Sequence, residues 1–184
     1  MSRLKQARVG VAAVSVITAA AIAVPAFAAA PSRAIQKVVG GTKFVPNRSI
    51  SDTMHFKKDV IQVQKGGKIT LVDTTKQPHS FSLVKSKQVP QTVKQVENCF
   101  GKGPCDEIAI AHGAVNPDTG EEQDPTTPLV NAGKAGFNQP GDSVLIPPGG
   151  KTTVPVSAPA GATLSYICAI HPWMQGKIKV ARAG

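Results

Sequence analysis

The segment at residues 168–174, with the sequence CAIHPWM, constrains this chain more than any other feature. It places Cys168, His171 and Met174 three positions apart each time. A thiolate, an imidazole and a thioether are the side chains that a mononuclear copper ion takes from one loop, because the soft thiolate holds Cu(I) and the thioether is a weak axial ligand. Zinc sites more often recruit two or more cysteines or a carboxylate. The segment therefore predicts a copper site.

Such a site needs a second imidazole from elsewhere in the chain. His79 is the candidate, because it follows Pro78 at the end of an apolar, alternating run. The predicted metal ligands are therefore His79, Cys168, His171 and Met174. His112, near scattered acidic residues, is a weaker candidate for a second metal site.

The cysteine count supports the same interpretation. Of the three cysteines, Cys99 and Cys105 bracket a short flexible loop that can close a disulfide, which an oxidising compartment favours. Cys168 is then left over. An unpaired cysteine outside the cell is a liability unless it is bound to metal or buried, and simple burial remains the alternative.

The first 28 residues have the pattern of a signal peptide. Arg3, Lys5 and Arg8 precede an apolar run at residues 9–24, and Ala-Phe-Ala at residues 26–28 suits signal peptidase. We therefore predict an exported protein in the periplasm, the cell envelope or the extracellular space, without a transmembrane span after cleavage. An uncleaved anchor at residues 9–30 is the alternative, because this stretch is long enough to cross a bilayer.

The formal net charge of the whole chain is +10. Three of its 21 basic residues and none of its 11 acidic residues lie in the signal segment, which leaves +7 on the mature chain. The basic residues are scattered and not interleaved with aromatic ones, so we predict no binding to nucleic acid. A basic surface favours an acidic redox partner, an anionic envelope, or solubility alone.

The remaining pattern predicts an all-β protein. Residues 50–84 and 143–182 alternate with a period of two and are punctuated by glycine and proline turns, which favours a β-sandwich. Residues 29–49 are predicted to be a leader or a loose first strand. Residues at about 85–142 are rich in loop-forming residues and are predicted to be a partly ordered flap near His79 that the disulfide pins. The folded domain is placed at residues 50–184.

The Cys-x-x-His-x-x-Met motif follows Tyr166-Ile-Cys168 and precedes the sequence GKIKV at residues 176–180. In this it resembles the blue copper proteins, or cupredoxins, with a short ligand loop similar to that of amicyanin. The segment from Met54 through Pro78 and His79 is similar to the first strands of that family. Compact members have a much shorter connection between these two regions, so the resemblance implies that residues at about 85–142 are an insertion. The resemblance implies a Greek-key β-sandwich, one type 1 copper ion, and a monomer that is an electron carrier and not an enzyme.

The resemblance also implies where electrons enter and leave. The edge of the His171 ring is expected to be exposed within an apolar collar that includes Pro172 and Trp173, although Trp173 could equally be an ordinary core residue. Relatives often carry asparagine directly after the first histidine to tether the two ligand segments. Here the residue is Ser80, which reaches less far and leaves that tether uncertain.

Two other functions remain open from the sequence. One is a copper-buffering module of the same fold with no dedicated redox partner. The other is an interaction domain in which the insertion recognises another envelope protein and copper is structural. A strong visible band with reversible redox cycling favours the electron carrier over both.

Overall fold

A computed structural model describes residues 30–101 and 103–182 of the chain. The predicted signal segment at residues 1–28 lies outside the described residues. Within them, none of the helices combines the length and the apolar character that a bilayer crossing requires.

The described residues form two sheets and a separate hairpin. The strands are β1 (Arg33–Val39), β2 (Thr42–Val45), β3 (Ser49–Asp52), β4 (His55–Phe56), β5 (Val60–Gln64), β6 (Lys68–Asp73), β7 (His79–Val84), β8 (Leu129–Val130), β9 (Ser143–Ile146), β10 (Lys151–Pro155), β11 (Thr163–Ile167) and β12 (Gln175–Ala181). One sheet has the order β10-β6-β1-β4, the other β5-β12-β11-β7-β9-β8, and β2 pairs with β3. The predicted β-sandwich is confirmed.

The core lies between the two sheets and follows from the alternation of the strands. In β1, β5 and β6 every second residue is buried, since successive side chains point to opposite faces. Aromatic rings join the sheets: Phe56 of β4 packs edge-on against Tyr166 of β11 at 5.1 Å between ring centroids, and against Phe81 of β7 at 5.8 Å. This core fixes the ends of β7 and β11, where two of the predicted ligands lie.

The segment predicted to be a leader or a loose first strand contains a full strand of the sandwich, so the fold begins before residue 50. β1 pairs in parallel with β6 along six residues, from Arg33 opposite Lys68 to Val38 opposite Asp73. Gln36 is 1% exposed, and its amide donates to the Tyr166 hydroxyl at 2.7 Å and to the Lys58 carbonyl at 2.6 Å. The sequence made this strand hard to recognise because Ile35 faces outward while the polar Gln36 is buried.

The insertion contains a short 3-10 turn (Ser86–Gln88), α1 (Val93–Glu97), α2 (Pro104–Ala111) and β8. The predicted disulfide between Cys99 and Cys105 is present. Both cysteines and Ile108 of α2 pack with Val84 and Ile167, in a small apolar cluster distinct from the main core. The insertion was expected over the end of the sheet at His79. Its buried residues cover the face of β7 and β11 that points away from the core, and its residues 90–96 line a groove with Trp173 of the ligand loop.

Candidate metal centre

Three predicted ligand atoms converge at one end of the sandwich. The Sγ atom of Cys168 lies 3.8 Å from Nδ1 of His79 and 3.7 Å from Nδ1 of His171, and the two Nδ1 atoms are 3.1 Å apart. His79 begins β7, whereas Cys168 directly follows β11, so the pairing of these two strands brings together residues 89 positions apart in sequence. Within the described residues, His79, Cys168 and His171 are the group whose potential ligand atoms lie close enough together to hold a metal ion.

The spacing of these atoms fits a copper ion. Nitrogen and sulfur ligands bind such metals at about 2.0–2.3 Å, and a trigonal plane of them separates its ligand atoms by roughly 3.5–3.7 Å. The two distances to sulfur match this, and the shorter distance between the nitrogens corresponds to a narrower angle. All three side chains are buried, with His79 and Cys168 at 0% and His171 at 7% exposure. One soft and two imidazole ligands in a closed pocket suit copper better than a hard cation.

The outer nitrogen of His79 is held by a hydrogen bond to a threonine. The Thr75 hydroxyl donates to the Gln77 carbonyl at 3.3 Å, so its oxygen accepts from Nε2 of His79 at 2.9 Å. Asp73, also buried, accepts from the backbone N–H of Thr75 at 2.7 Å and lies 3.9 Å from the same Nε2. Because Nε2 carries the proton, the lone pair of Nδ1 points toward Cys168. Partners of this kind fix the orientation and tautomer of a metal-binding histidine.

His171 has the same arrangement with a different partner. Its Nε2 donates to Oε1 of Gln77 at 3.1 Å, which again directs Nδ1 toward the sulfur. Thr75 and Gln77 lie in the same loop between β6 and β7, so one short segment orients both imidazoles. Burial lowers the pKa of both histidines, and repulsion from His171 lowers that of His79 further. Both rings are therefore neutral and able to bind a metal near neutral pH.

Ser80 ties the two ligand segments together. Its backbone N–H donates to Cys168 Sγ at 3.3 Å, and its hydroxyl accepts from the backbone N–H of Ala169 at 2.7 Å. The doubt about the reach of this serine is thus resolved, because the strands bring the segments close enough for the shorter side chain. Burial raises the pKa of the Cys168 thiol, and the N–H of Ser80 opposes that rise. Metal binding must displace this thiol proton.

The ligand loop itself is a tight turn. The N–H of Cys168 donates to the carbonyl of Met174 at 2.9 Å, and the N–H of Met174 donates to the carbonyl of His171 at 2.8 Å. Met174 is 1% exposed and belongs to the same core cluster as Cys168. The turn thus keeps the thioether buried at the metal-binding end of the core.

The predicted electron-transfer surface differs from expectation in its exposure. Trp173 is 42% exposed, but His171 is 7% exposed and Pro172 is buried. The ring edge of His171 is covered because Gln77 caps its outer nitrogen. Trp173 contacts His171 edge-on at 5.2 Å between ring centroids, and its Nε1 donates to the Met54 carbonyl at 3.2 Å. Among these three residues, the exposed apolar surface therefore belongs to Trp173.

The sequence matches the family model of copper binding proteins of the plastocyanin/azurin family over residues 45–181. The chain belongs to this family. His79, Cys168 and His171 accordingly form the site of one type 1 copper ion, the cupredoxin centre that the sequence predicted.

Solved cupredoxin structures resemble this one at low sequence identity. Reduced auracyanin from Roseiflexus castenholzii is 18% identical, with a TM-score of 0.43, over 83% of this chain and 98% of that one. A reduced Cu(I) amicyanin variant is 12% identical, with a TM-score of 0.40, over 83% and 86%. A purple cupredoxin from Nitrosopumilus maritimus is 13% identical, with a TM-score of 0.37, over 80% and 99%. None of the curated protein sequences matches this chain.

Three residues that orient the cupredoxin centre were not identified from the sequence: Asp73, Thr75 and Gln77. They precede His79 directly, in the segment DTTKQPH. No spacing rule shows how such a loop folds back, so the pattern alone gave no signal for them. His112, the weaker candidate for a second metal site, uses both ring nitrogens in hydrogen bonds to Thr127 and Ser143.

Proposed function

We propose that this protein carries single electrons between redox partners outside the cytoplasm. His79, Cys168 and His171 would form the ligand plane, and Met174 would be the weak axial ligand. The observation that carries the proposal is the convergence of two Nδ1 atoms and one sulfur within 3.8 Å of one another, in a pocket closed to solvent. The bound copper ion supplies the one-electron Cu(I)/Cu(II) couple.

The chain's contribution is to keep these ligands in place when the charge of the site changes. Thr75 and Gln77 fix the two imidazole planes, and Ser80 fixes the distance between the segments that carry His79 and Cys168. A site held by the fold in this way need not rearrange on electron transfer, which keeps transfer fast. Burial of all three ligands also excludes water as an additional ligand.

Electrons would enter and leave through the exposed side of the ligand loop. Trp173 combines 42% exposure with an edge contact to the His171 ring. The net charge of +7 on the mature chain, from 18 basic and 11 acidic residues, favours an acidic partner protein through long-range attraction. The signal-like first 28 residues and the disulfide between Cys99 and Cys105 support export to an oxidising compartment.

The experiment is to add Cu(II) to the purified mature chain and record the visible spectrum and the reversibility of its redox cycle. An intense thiolate-to-copper band with fast, reversible cycling is expected. A colourless Cu(I) protein that gives its metal readily to a chelator would instead indicate copper buffering. Met174→Ala is expected to shift the reduction potential and keep the band.

The proposed route through Trp173 has its own test. Trp173→Ala is expected to slow electron self-exchange at least about tenfold, because exchange depends steeply on contact near the metal, while the spectrum stays unchanged. Val93→Ala is the matched control, since Val93 is an exposed apolar residue that lines the same groove beside Trp173. Equal slowing in both variants would contradict a specific role for Trp173.

A further inference from the structure

A row of buried hydroxyl groups connects the ligand loop to the insertion. From Ala169 N–H, hydrogen bonds run to Oγ of Ser80 at 2.7 Å, on to Ser82 at 2.9 Å, and on to Ser143 at 2.6 Å. The row ends on Nε2 of His112 at 2.7 Å. Each of the three serines and His112 is no more than 1% exposed. Each of these polar groups needs a hydrogen-bond partner in a dry interior, and each finds it in the next member of the row.

The direction of this row follows from its far end. Nδ1 of His112 bonds to the carbonyl oxygen of Thr127, which can only accept, so Nδ1 carries the proton. A neutral imidazole has one N–H, so Nε2 must accept from the Ser143 hydroxyl. Burial lowers the pKa of His112, which keeps its ring neutral.

The donor and the acceptor in each serine–serine hydrogen bond follow from the same reasoning. The hydroxyl proton of Ser143 is committed to His112, so Ser143 accepts from Ser82, and Ser82 in turn accepts from Ser80. Every hydroxyl proton then points toward the insertion and away from Cys168. Ser80 donates its backbone N–H to the sulfur. Its hydroxyl also lies within reach of the sulfur, but in this direction of the row the hydroxyl proton is committed to Ser82.

We propose that His112 is a positioning residue for the copper site, which acts through Ser143, Ser82 and Ser80 to keep the Ser80 hydroxyl from donating to the Cys168 sulfur. This rests on the proposed function only in taking Cys168 as the copper ligand. Hydrogen bonds to the cysteine sulfur tune the potential of such sites. An added donor weakens the thiolate's donation to Cu(II) and so favours Cu(I). Through His112, the insertion would thus keep the reduction potential of the copper site lower than it would be if the Ser80 hydroxyl donated to the sulfur.

The first experiment uses the unsubstituted, metal-free chain. Long-range proton–nitrogen NMR correlations at neutral pH report which ring nitrogen of His112 carries the proton. We expect a neutral ring with the proton on Nδ1. A proton on Nε2, or a doubly protonated ring, would reverse the row and overturn the proposal. Because no copper is present, this result is independent of whether the protein carries electrons.

The second experiment breaks the row away from the ligands. In copper-loaded Ser143→Ala, the Ser82 and Ser80 hydroxyls lose their fixed direction, and the reduction potential is expected to shift upward with a change in the thiolate-to-copper band. Ser143→Thr keeps a hydroxyl and is expected to restore the parent potential. Ser165→Ala is the matched control, a buried serine of β11 in the same sheet but outside the row.

The outcomes separate the two proposals. An unchanged potential in Ser143→Ala, or an equal shift in Ser165→Ala, would overturn the role of His112 while leaving the electron carrier intact. Absence of the thiolate-to-copper band from the unsubstituted protein would contradict the electron carrier instead. The tautomer measurement decides the proposal even if a variant does not fold.

Discussion

Two regions of this protein bury histidines, and they satisfy them in opposite ways. In the insertion, both nitrogens of His112 face neutral partners that complement them, one carbonyl and one hydroxyl. At the end of the sandwich, His79 and His171 use only their Nε2 atoms in this way and turn both Nδ1 atoms toward each other and toward Cys168. Converging lone pairs around a thiol therefore distinguish a metal site from a packed histidine.

The largest difference between the two regions is expected when the sulfur of the metal site is removed. Cys168→Ser is expected to abolish the thiolate-to-copper band, because a serine hydroxyl is a poor ligand for copper at neutral pH. The measurement is the visible spectrum after Cu(II) addition. His112→Gln is the control, and it is expected to keep a strong band. A band that survives Cys168→Ser would place copper elsewhere.

Removing one histidine from each region sharpens the comparison. His79→Ala is expected to weaken copper binding by at least about 100-fold, since losing a ligand costs more than losing the partner of a ligand. His112→Ala is expected to leave copper affinity within about threefold but to lower the free energy of unfolding by about 1–3 kcal/mol, because it leaves buried polar groups unpaired.

Competition titration with a copper chelator and urea unfolding of the metal-free protein measure these two effects. Similar losses of affinity in both variants would contradict the distinction between the two regions.

The next effect concerns the loop that orients the imidazoles. Gln77→Ala removes the acceptor of His171 Nε2 and is expected to weaken copper binding by about 10–100-fold. Lys76→Ala changes the exposed neighbour and is the matched control. Chelator competition measures both affinities, and equal values for the two variants would show that Gln77 does not orient the ring.

The disulfide tests whether the insertion is energetically separate from the metal site. Replacing both Cys99 and Cys105 by alanine is expected to lower the free energy of unfolding by about 2 kcal/mol, from the entropy of closing a short loop. The visible band should remain, because the disulfide packs against Ile167 and Ala169, the neighbours of Cys168, and not against the ligands themselves. Thermal unfolding and the spectrum check this, and a lost band would contradict the separation.

The smallest effect is the pH dependence of the metal-free protein. Burial lowers the pKa of His79, His112 and His171 below the unfolded value of about 6.5. The unfolded chain therefore gains protons first as the pH falls, so the folded state loses stability below about pH 6.5. Urea unfolding at pH 7 and pH 5 measures this. His112→Gln should reduce the loss, and a larger loss in that variant would contradict the assignment.

Much of the fold was predictable because strands with one buried face alternate in sequence. Pro155 lies in β10, an edge strand, where its missing backbone N–H leaves no partner in the sheet unpaired. β1 was harder to predict, since Ile35 faces outward while the polar Gln36 is buried. The position of the insertion was not predictable. It covers an apolar face of β7 and β11, and the sequences of these strands look like those of ordinary strands with one buried face.

By itself the sequence determined the chemistry of the site, since the types of side chain at positions 168, 171 and 174 select the metal. It also indicated the disulfide, because two cysteines six positions apart around a flexible loop can be bridged. Only the tertiary structure decided which hydrogen bonds orient those side chains. The packed strands bring groups that are distant in sequence within about 3 Å of one another, and a local sequence pattern does not show which groups these are. The contacts of Gln77 and Thr75, and the row from Ser80 to His112, are of this kind.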